Sequence, residues 1–185
     1  LGIQVVMTLV LAIASVIYPK LSKDAARDDL KAFGENLAGT LNGMIILLVP
    51  LSFAFYIFSY EIMDIIYGYG KFTKEYLVLG ADVFKMYSFA FLGIGFKEIC
   101  DRAFYSLKNT KTSAYNGIVI MIANIALSVV LVKLFGLCGI AVAYSFAALI
   151  GGLNILILFK AKHKTLPLKP LFLTLLKSIV ASIAM

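Results

Sequence analysis

The residues best equipped for chemistry form one short charged series: Asp82, Lys85, Lys97, Glu98, Asp101 and Arg102. Asp82 and Lys85 are three apart, and Lys97–Asp101 and Glu98–Arg102 are four apart, so each pair can meet across one turn of a single helix. The stretch around them is apolar. Only residues 86–96 separate the two lysines, a climb of about 18 Å against a bilayer hydrocarbon core of about 30 Å. Either both lysines snorkel toward the interfaces, or this helix borders a hydrated cavity in which ionisable groups mark a substrate path. On the second reading Lys85, Lys97 and Arg102 are candidate cavity or gate cations, with Asp82 and Glu98 beside them. Bond-making chemistry finds no comparable set. The one histidine, His163, sits among lysines in what reads as a solvated loop, and no His/Glu pair, GxSxG, Walker loop or CxxC occurs. Cys100 and Cys138 fall at opposite ends of their helices, with no disulfide or metal spacing. The expectation is a non-enzyme with no cofactor and no metal.

The elements that carry these charges follow from composition. Of 185 residues, 62% are hydrophobic and 15% charged, too little polar surface to cover a water-soluble domain. The fold class expected is all-α, a polytopic transmembrane helical bundle. Six apolar stretches are long enough, or nearly so, to cross a bilayer: 1–18, 37–60, 76–96, 113–132, 134–159 and 168–185. The first lacks the basic start and cleavage site of a signal peptide. It begins without Met and the last stops in mid-run, so the chain reads as a piece of a longer protein. Residues 1–167 would hold five spans and 168–185 the start of another.

A formal charge of +7 suggests nucleic acid in a soluble protein, but here it reports topology. Twelve basic residues follow spans one, three and five: Lys20, Lys23, Arg27, Lys31; Lys97, Arg102, Lys108, Lys111; Lys160, Lys162, Lys164, Lys169. The opposite side has three, Lys71, Lys74 and Lys133, while Lys85 and Lys177 lie inside spans. The positive-inside rule therefore makes the loops after spans one, three and five cytoplasmic. Residues 19–36 alternate apolar and charged positions with a period near 3.6, the pattern of an amphipathic helix on the inner surface. Gly68 and Gly70 supply an outer turn before Thr73, a candidate cap for span three.

Two further features concern helix packing. Pro50 falls in the middle of span two, where it removes a backbone hydrogen bond and predicts a bend or hinge. Gly139, Ala143, Ala147 and Gly151 are spaced by four on one face of span five, where small side chains let helix backbones approach closely.

Four segments resemble a known family. Val16-Ile17-Tyr18-Pro19-Lys20-Leu21-Ser22 is similar to the ØØØPxLS signature of the MurJ (MviN) family of lipid II flippases. Tyr69-Gly70-Lys71-Phe72-Thr73 is similar to its GxFT loop. Residues 102–112, RAFYSLKNTKT, resemble its RAFYAxxDTKTP segment, which is followed by an Asn in the next span, here Asn124. Residues 136–148 resemble its GxxGLALAxSLAA. Order and spacing agree in all four. Ser113 stands where the family has Pro, and Asn109 where it has Asp.

The resemblance implies a transporter of the multidrug/oligosaccharidyl-lipid/polysaccharide exporter superfamily, with fourteen spans in two six-helix lobes plus two helices. This chain would supply spans eight to twelve of the second lobe and the start of span thirteen, in the bacterial cytoplasmic (inner) membrane. The implied partners are lipid II, membrane lipids and the first lobe of the same chain, with no nucleic acid. The implied activity moves lipid II from the inner to the outer leaflet by alternating access for cell-wall synthesis, coupled to the membrane potential or a monovalent ion. Asn124 joins the candidate path residues on this basis. The alternatives are a flippase for another lipid-linked oligosaccharide, a cation-coupled drug exporter of the same superfamily, and a non-transporting membrane scaffold whose charges only pair helices.

Overall fold

The computed structural model describes residues 2–69, 73–163 and 168–184. Among the described residues eight helices follow in order: α1 Gly2–Ala26, α2 Leu30–Ile57, α3 Ser59–Tyr67, α4 Lys74–Ser88, α5 Ala90–Ser106, α6 Thr110–Phe135, α7 Leu137–His163 and α8 Leu168–Ala184. Four of them, α1, α2, α6 and α7, are each long and apolar enough to cross a bilayer. A fifth span is assembled from two helices, α4 and α5, which meet at Phe89 with a bend of 43°. The last apolar stretch is α8, of 17 residues. The chain is thus an all-α bundle of membrane-crossing helices. The predicted third span is broken rather than straight, and the predicted second span gives way at Phe58 to the short α3.

α5 is the centre of the bundle. Its residues Phe91, Ile94, Phe96, Ile99, Ala103 and Phe104 are all buried, and it packs against α1, α2, α6 and α7. Aromatic rings fill one end of the core: Phe159 of α7 lies 6.0 Å from Phe33 of α2 and 5.3 Å from Phe104 of α5. α6 is the outermost of the long helices. Only Thr112, Ser113 and Asn116, near its start, are buried, and Ile118, Ile122, Ile125 and Val129 are exposed along the rest. So long an apolar flank requires lipid or further protein around it rather than water. Gly136 alone joins α6 to α7. Its φ of 57° is a left-handed conformation open to glycine at little cost, which lets the two helices fold back on each other directly.

Two sequence expectations need correction. Residues 19–36 do not form a separate helix on the membrane surface: α1 runs on through Pro19 to Ala26, and α2 begins at Leu30. The 3.6-residue period was real, but its apolar side, Leu21, Phe33 and Leu37, is buried in the bundle core. The intervening turn places Asp28 at φ 55°. It is held by Asp29, whose carboxylate accepts from the Ala32 amide at 3.0 Å, and by Asn36 donating to Asp24 at 2.6 Å. His163 is likewise not a solvated loop residue. It is the last residue of α7, half-buried, its ring 5.1 Å from Phe159. The apolar surroundings of α7 extend one turn further than the run of lysines suggests. Of the predicted outer turn, Gly70, Lys71 and Phe72 lie outside the described residues, as does Lys164 of the lysine count. Thr73 precedes α4 without a side-chain capping bond.

Candidate functional site

The charged series is divided between the two halves of the broken span. On α4, Lys85 reaches back one turn to Asp82 at 3.3 Å, and both side chains keep a third to a half of their exposure. On α5, Lys97 lies 2.8 Å from Asp101 and 3.1 Å from Glu98. Asp101 is 5% exposed, so its charge requires close partners. Its second oxygen accepts from Ser113 of α6, whose oxygen also lies 3.2 Å from the Tyr105 hydroxyl. Lys97, Asp101, Ser113 and Tyr105 therefore form a continuous polar chain across the α5–α6 contact.

The i,i+3 and i,i+4 spacings give two of the three expected pairs. The third, Glu98 with Arg102, is not made: Glu98 sits beside Lys97 instead. Arg102 is half-buried, and its guanidinium has no ion-pair partner among the described residues. Asn124 lies mid-way along α6, half-buried, accepting from Ser128 at 3.2 Å, apart from the charges of α5. The deeper amide contacts are two turns earlier. Asn116 of α6, fully buried, donates to the Gly151 carbonyl of α7 at 3.2 Å and accepts from Asn154 at 2.7 Å. Among the described residues no three His, Cys, Asp or Glu side chains converge.

The small-residue row Gly139, Ala143, Ala147 and Gly151 is buried along α7. Two of its members face α6: a side chain at Gly139 would meet the Leu131 backbone, and one at Gly151 would meet Ile120. The neighbouring Gly152 faces α5, where an added Cβ would lie 2.7 Å from the Gly93 carbonyl oxygen. Pro50 is half-buried inside α2, which continues on both sides of it.

The basic clusters meet at one end of the bundle. Ser22 of α1 reaches Ser106 of α5 at 3.4 Å, and Lys162 of α7 donates to Thr112 of α6. Through these contacts and the Phe33–Phe159–Phe104 rings, the lysine-rich ends of α1, α5 and α7 and the starts of α2 and α6 share one face.

The family model for "Lipid II flippase MurJ" matches residues 5–185. The chain belongs to the MurJ family. Among curated MurJ proteins, a probable lipid II flippase of Thermotoga maritima is 29% identical over 119 residues, 64% of this chain and 25% of that protein. One of Bdellovibrio bacteriovorus is 25% identical over 174 residues, 94% of this chain and 33% of that protein. A solved structure titled "Lipid II flippase MurJ, inward closed conformation" superposes with a TM-score of 0.80 at 23% identity, covering 95% of this chain and 36% of that one. The chain thus has the fold of a part of a MurJ transporter and spans a quarter to a third of the length of these curated relatives.

Within this MurJ segment, sequence reasoning missed the contacts that join helices. Ser113, noticed only for replacing a proline, holds Asp101. Asn116 and Asn154, 38 residues apart, carried one weak signal: amides are rare and sticky inside apolar spans. Ser145 of α7, which donates to the Met86 carbonyl at 2.6 Å, carried none beyond its polarity.

Proposed function

We propose that this chain forms most of the second lobe of a lipid II flippase, in which a lipid-linked pyrophosphate passes from the inner to the outer leaflet by alternating access. Membership of the MurJ family supports the substrate class. The observation that carries the reading in the chain itself is the broken, charge-bearing span at the centre of the bundle. Lys85 and Lys97 are each about one-third exposed and each held by carboxylates of the same helix. A pyrophosphate cannot enter hydrocarbon without cationic partners. Lysines resting on carboxylates keep the empty path near neutrality and can exchange those oxygens for phosphate oxygens, a charge-assisted bond of the same kind. Arg102, with no ion pair of its own among the described residues, is a third cation near the basic end.

In this reading the basic end faces the cytoplasm of a bacterium, the membrane is the cytoplasmic one, and transport is driven by the membrane potential or a monovalent ion gradient. The first lobe of the whole protein completes the cavity. No bond is made or broken.

The test uses the full-length parent in bacteria depleted of their own lipid II flippase, reading how much lipid II becomes accessible to an outer-leaflet cleavage probe. Restored accessibility is expected. Lys85→Gln, Lys97→Gln or Arg102→Gln should then lower it about tenfold, the equivalent of about 1.4 kcal/mol and within the worth of one charge-assisted hydrogen bond. An inserted, folded parent that leaves lipid II inside overturns the substrate assignment.

A further inference from the structure

The break in the charged span is supported by two hydroxyls, which reach carbonyls of the turn just before it. In an uninterrupted helix the Lys85 and Met86 carbonyls would accept from the amides of Phe89 and Ala90. Here the Phe89 amide turns to the Tyr87 carbonyl. Ser88 donates to the Lys85 carbonyl at 2.7 Å, within its own helix, and Ser145 donates to the Met86 carbonyl at 2.6 Å from α7. Both serines are buried, at 1% and 3% exposure, where an unmet carbonyl is costly.

The two sides of the break are held differently. α5 is seated backbone to backbone on α7: a Cβ at Gly93 would collide with the Ala148 carbonyl, and one at Gly152 would come within 3.0 Å of the Gly93 Cα. α4 meets its neighbours through side chains, with Phe84 against Phe55 of α2, Tyr87 against Tyr144 of α7, and Gly80 against Met63 of α3. Phe55 touches both halves, lying 5.5 Å from Phe84 and 5.4 Å from Phe91. Open volume lies on the α7 side of the break, in a cavity of about 340 Å³ lined by Met86, Phe89, Val142, Ser145, Phe146 and Leu149. Side-chain contacts can repack where backbone contacts cannot, and free space gives the repacking somewhere to go.

We propose that Phe89 is a hinge and that Ser145 is the positioning residue that sets its angle, so that α4 carries the Asp82–Lys85 pair toward or away from the fixed Lys97–Asp101 pair on α5. The role of the moved pair rests on the transport reading given above. The hinge itself does not. A helix of fifteen residues is about 22 Å long, so a change of about 10° in the bend moves the far end of α4 by about 4 Å.

Spin labels on the full-length parent in lipid nanodiscs, with no substrate present, test this. Exposed Val78 on α4 with Val129 on α6 reports the moving half, and Ile46 on α2 with Ile122 on α6 reports the frame. In Ser145→Ala the first distance should shift or broaden by about 3 Å, since Val78 lies about 16 Å from Phe89, while the second stays fixed. Ser145→Thr, which keeps the hydroxyl, should restore the original distribution. An unchanged Val78–Val129 distance, a joint shift of both pairs, or failure of the threonine to restore it overturns the hinge. If Ser145→Ala does not insert, Ser88→Ala frees the other carbonyl and is read on the same pairs with the same outcomes. These distances need no lipid II, so they judge the hinge alone, as the leaflet assay judges the substrate alone.

Discussion

Asp101 ties two helices together through its two carboxylate oxygens. Nearly buried, it takes Lys97 on one oxygen and Ser113 on the other, and so ties a charge on α5 to the first turns of α6. Removing it leaves Lys97 with Glu98 alone and Ser113 with Tyr105 alone. Asp101→Ala should therefore destabilise the parent by about 1–3 kcal/mol, the worth of the charge-assisted bond to Lys97 and the bond to Ser113 that are lost. Thermal unfolding in detergent reads this as a lowered Tm. Asp101→Asn, which keeps an acceptor for Ser113, should fall between the two, and wild-type stability for the alanine variant would refute the account. Half of this site could be read from the sequence: the i,i+4 spacing brings Lys97 to Asp101 because both belong to one helix. The Ser113 bond could not, because it depends on how the short turn after Ser106 aims α6 back along α5, with Lys108 at φ 56°. Glu98 shows the complementary error. Spacing allowed Arg102, but Lys97 was within reach of the same carboxylate.

At the scale of elements, what sets the bundle's rigidity is where backbones touch. The α5–α7 contact through Gly93, Ala148 and Gly152 leaves no room for a side chain. Gly39 and Gly43 on α2 have nothing within 4 Å of an added Cβ. Gly93→Ala and Gly152→Ala should therefore cost about 1–3 kcal/mol through forced separation of the helices, while Gly39→Ala and Gly43→Ala are neutral or slightly stabilising. Folded yield and Tm of the four variants, measured side by side, decide it; equal losses at all four positions would mean that close approach is not what the glycines provide. The spacing of Gly139, Ala143, Ala147 and Gly151 announced a packing face, since a repeat of four stays on one side of a helix. It could not say which helix would be met: Gly139 and Gly151 of the row face α6, whereas the adjacent Gly152, outside the row, faces α5. Interruptions were harder to read than faces. Pro50 marks a helix that continues on both sides of it, with Ser52 donating to the Leu48 carbonyl nearby, whereas the break at Phe89 has neither proline nor glycine to announce it. A bend supported by a hydroxyl from another helix, that of Ser145, is a tertiary feature, invisible to local pattern.

Across the whole molecule, hydropathy and lysine placement carried most of the architecture, because a bilayer leaves a chain few alternatives to antiparallel helices. The contacts that bring the ends of α1, α5 and α7 together follow from that alternation, and they gather the basic residues on one face while Tyr69, 91% exposed, follows α3 toward the other. Direction of transport depends on which face is which, and the charge bias predicts that the basic face stays where the protein is made. Single cysteines in the full-length parent, with Cys100 and Cys138 replaced by alanine, make this measurable in intact cells. A membrane-impermeant thiol reagent should label Tyr69→Cys directly, and should label Arg27→Cys and Lys111→Cys, both exposed, only after the membrane is permeabilised. The reverse pattern would place the basic ends outside. A cationic path that opened first toward the periplasm could not receive a pyrophosphate lipid from the inner leaflet, so inverted labelling would remove the proposed direction of flipping even if the fold and the family stood unchanged.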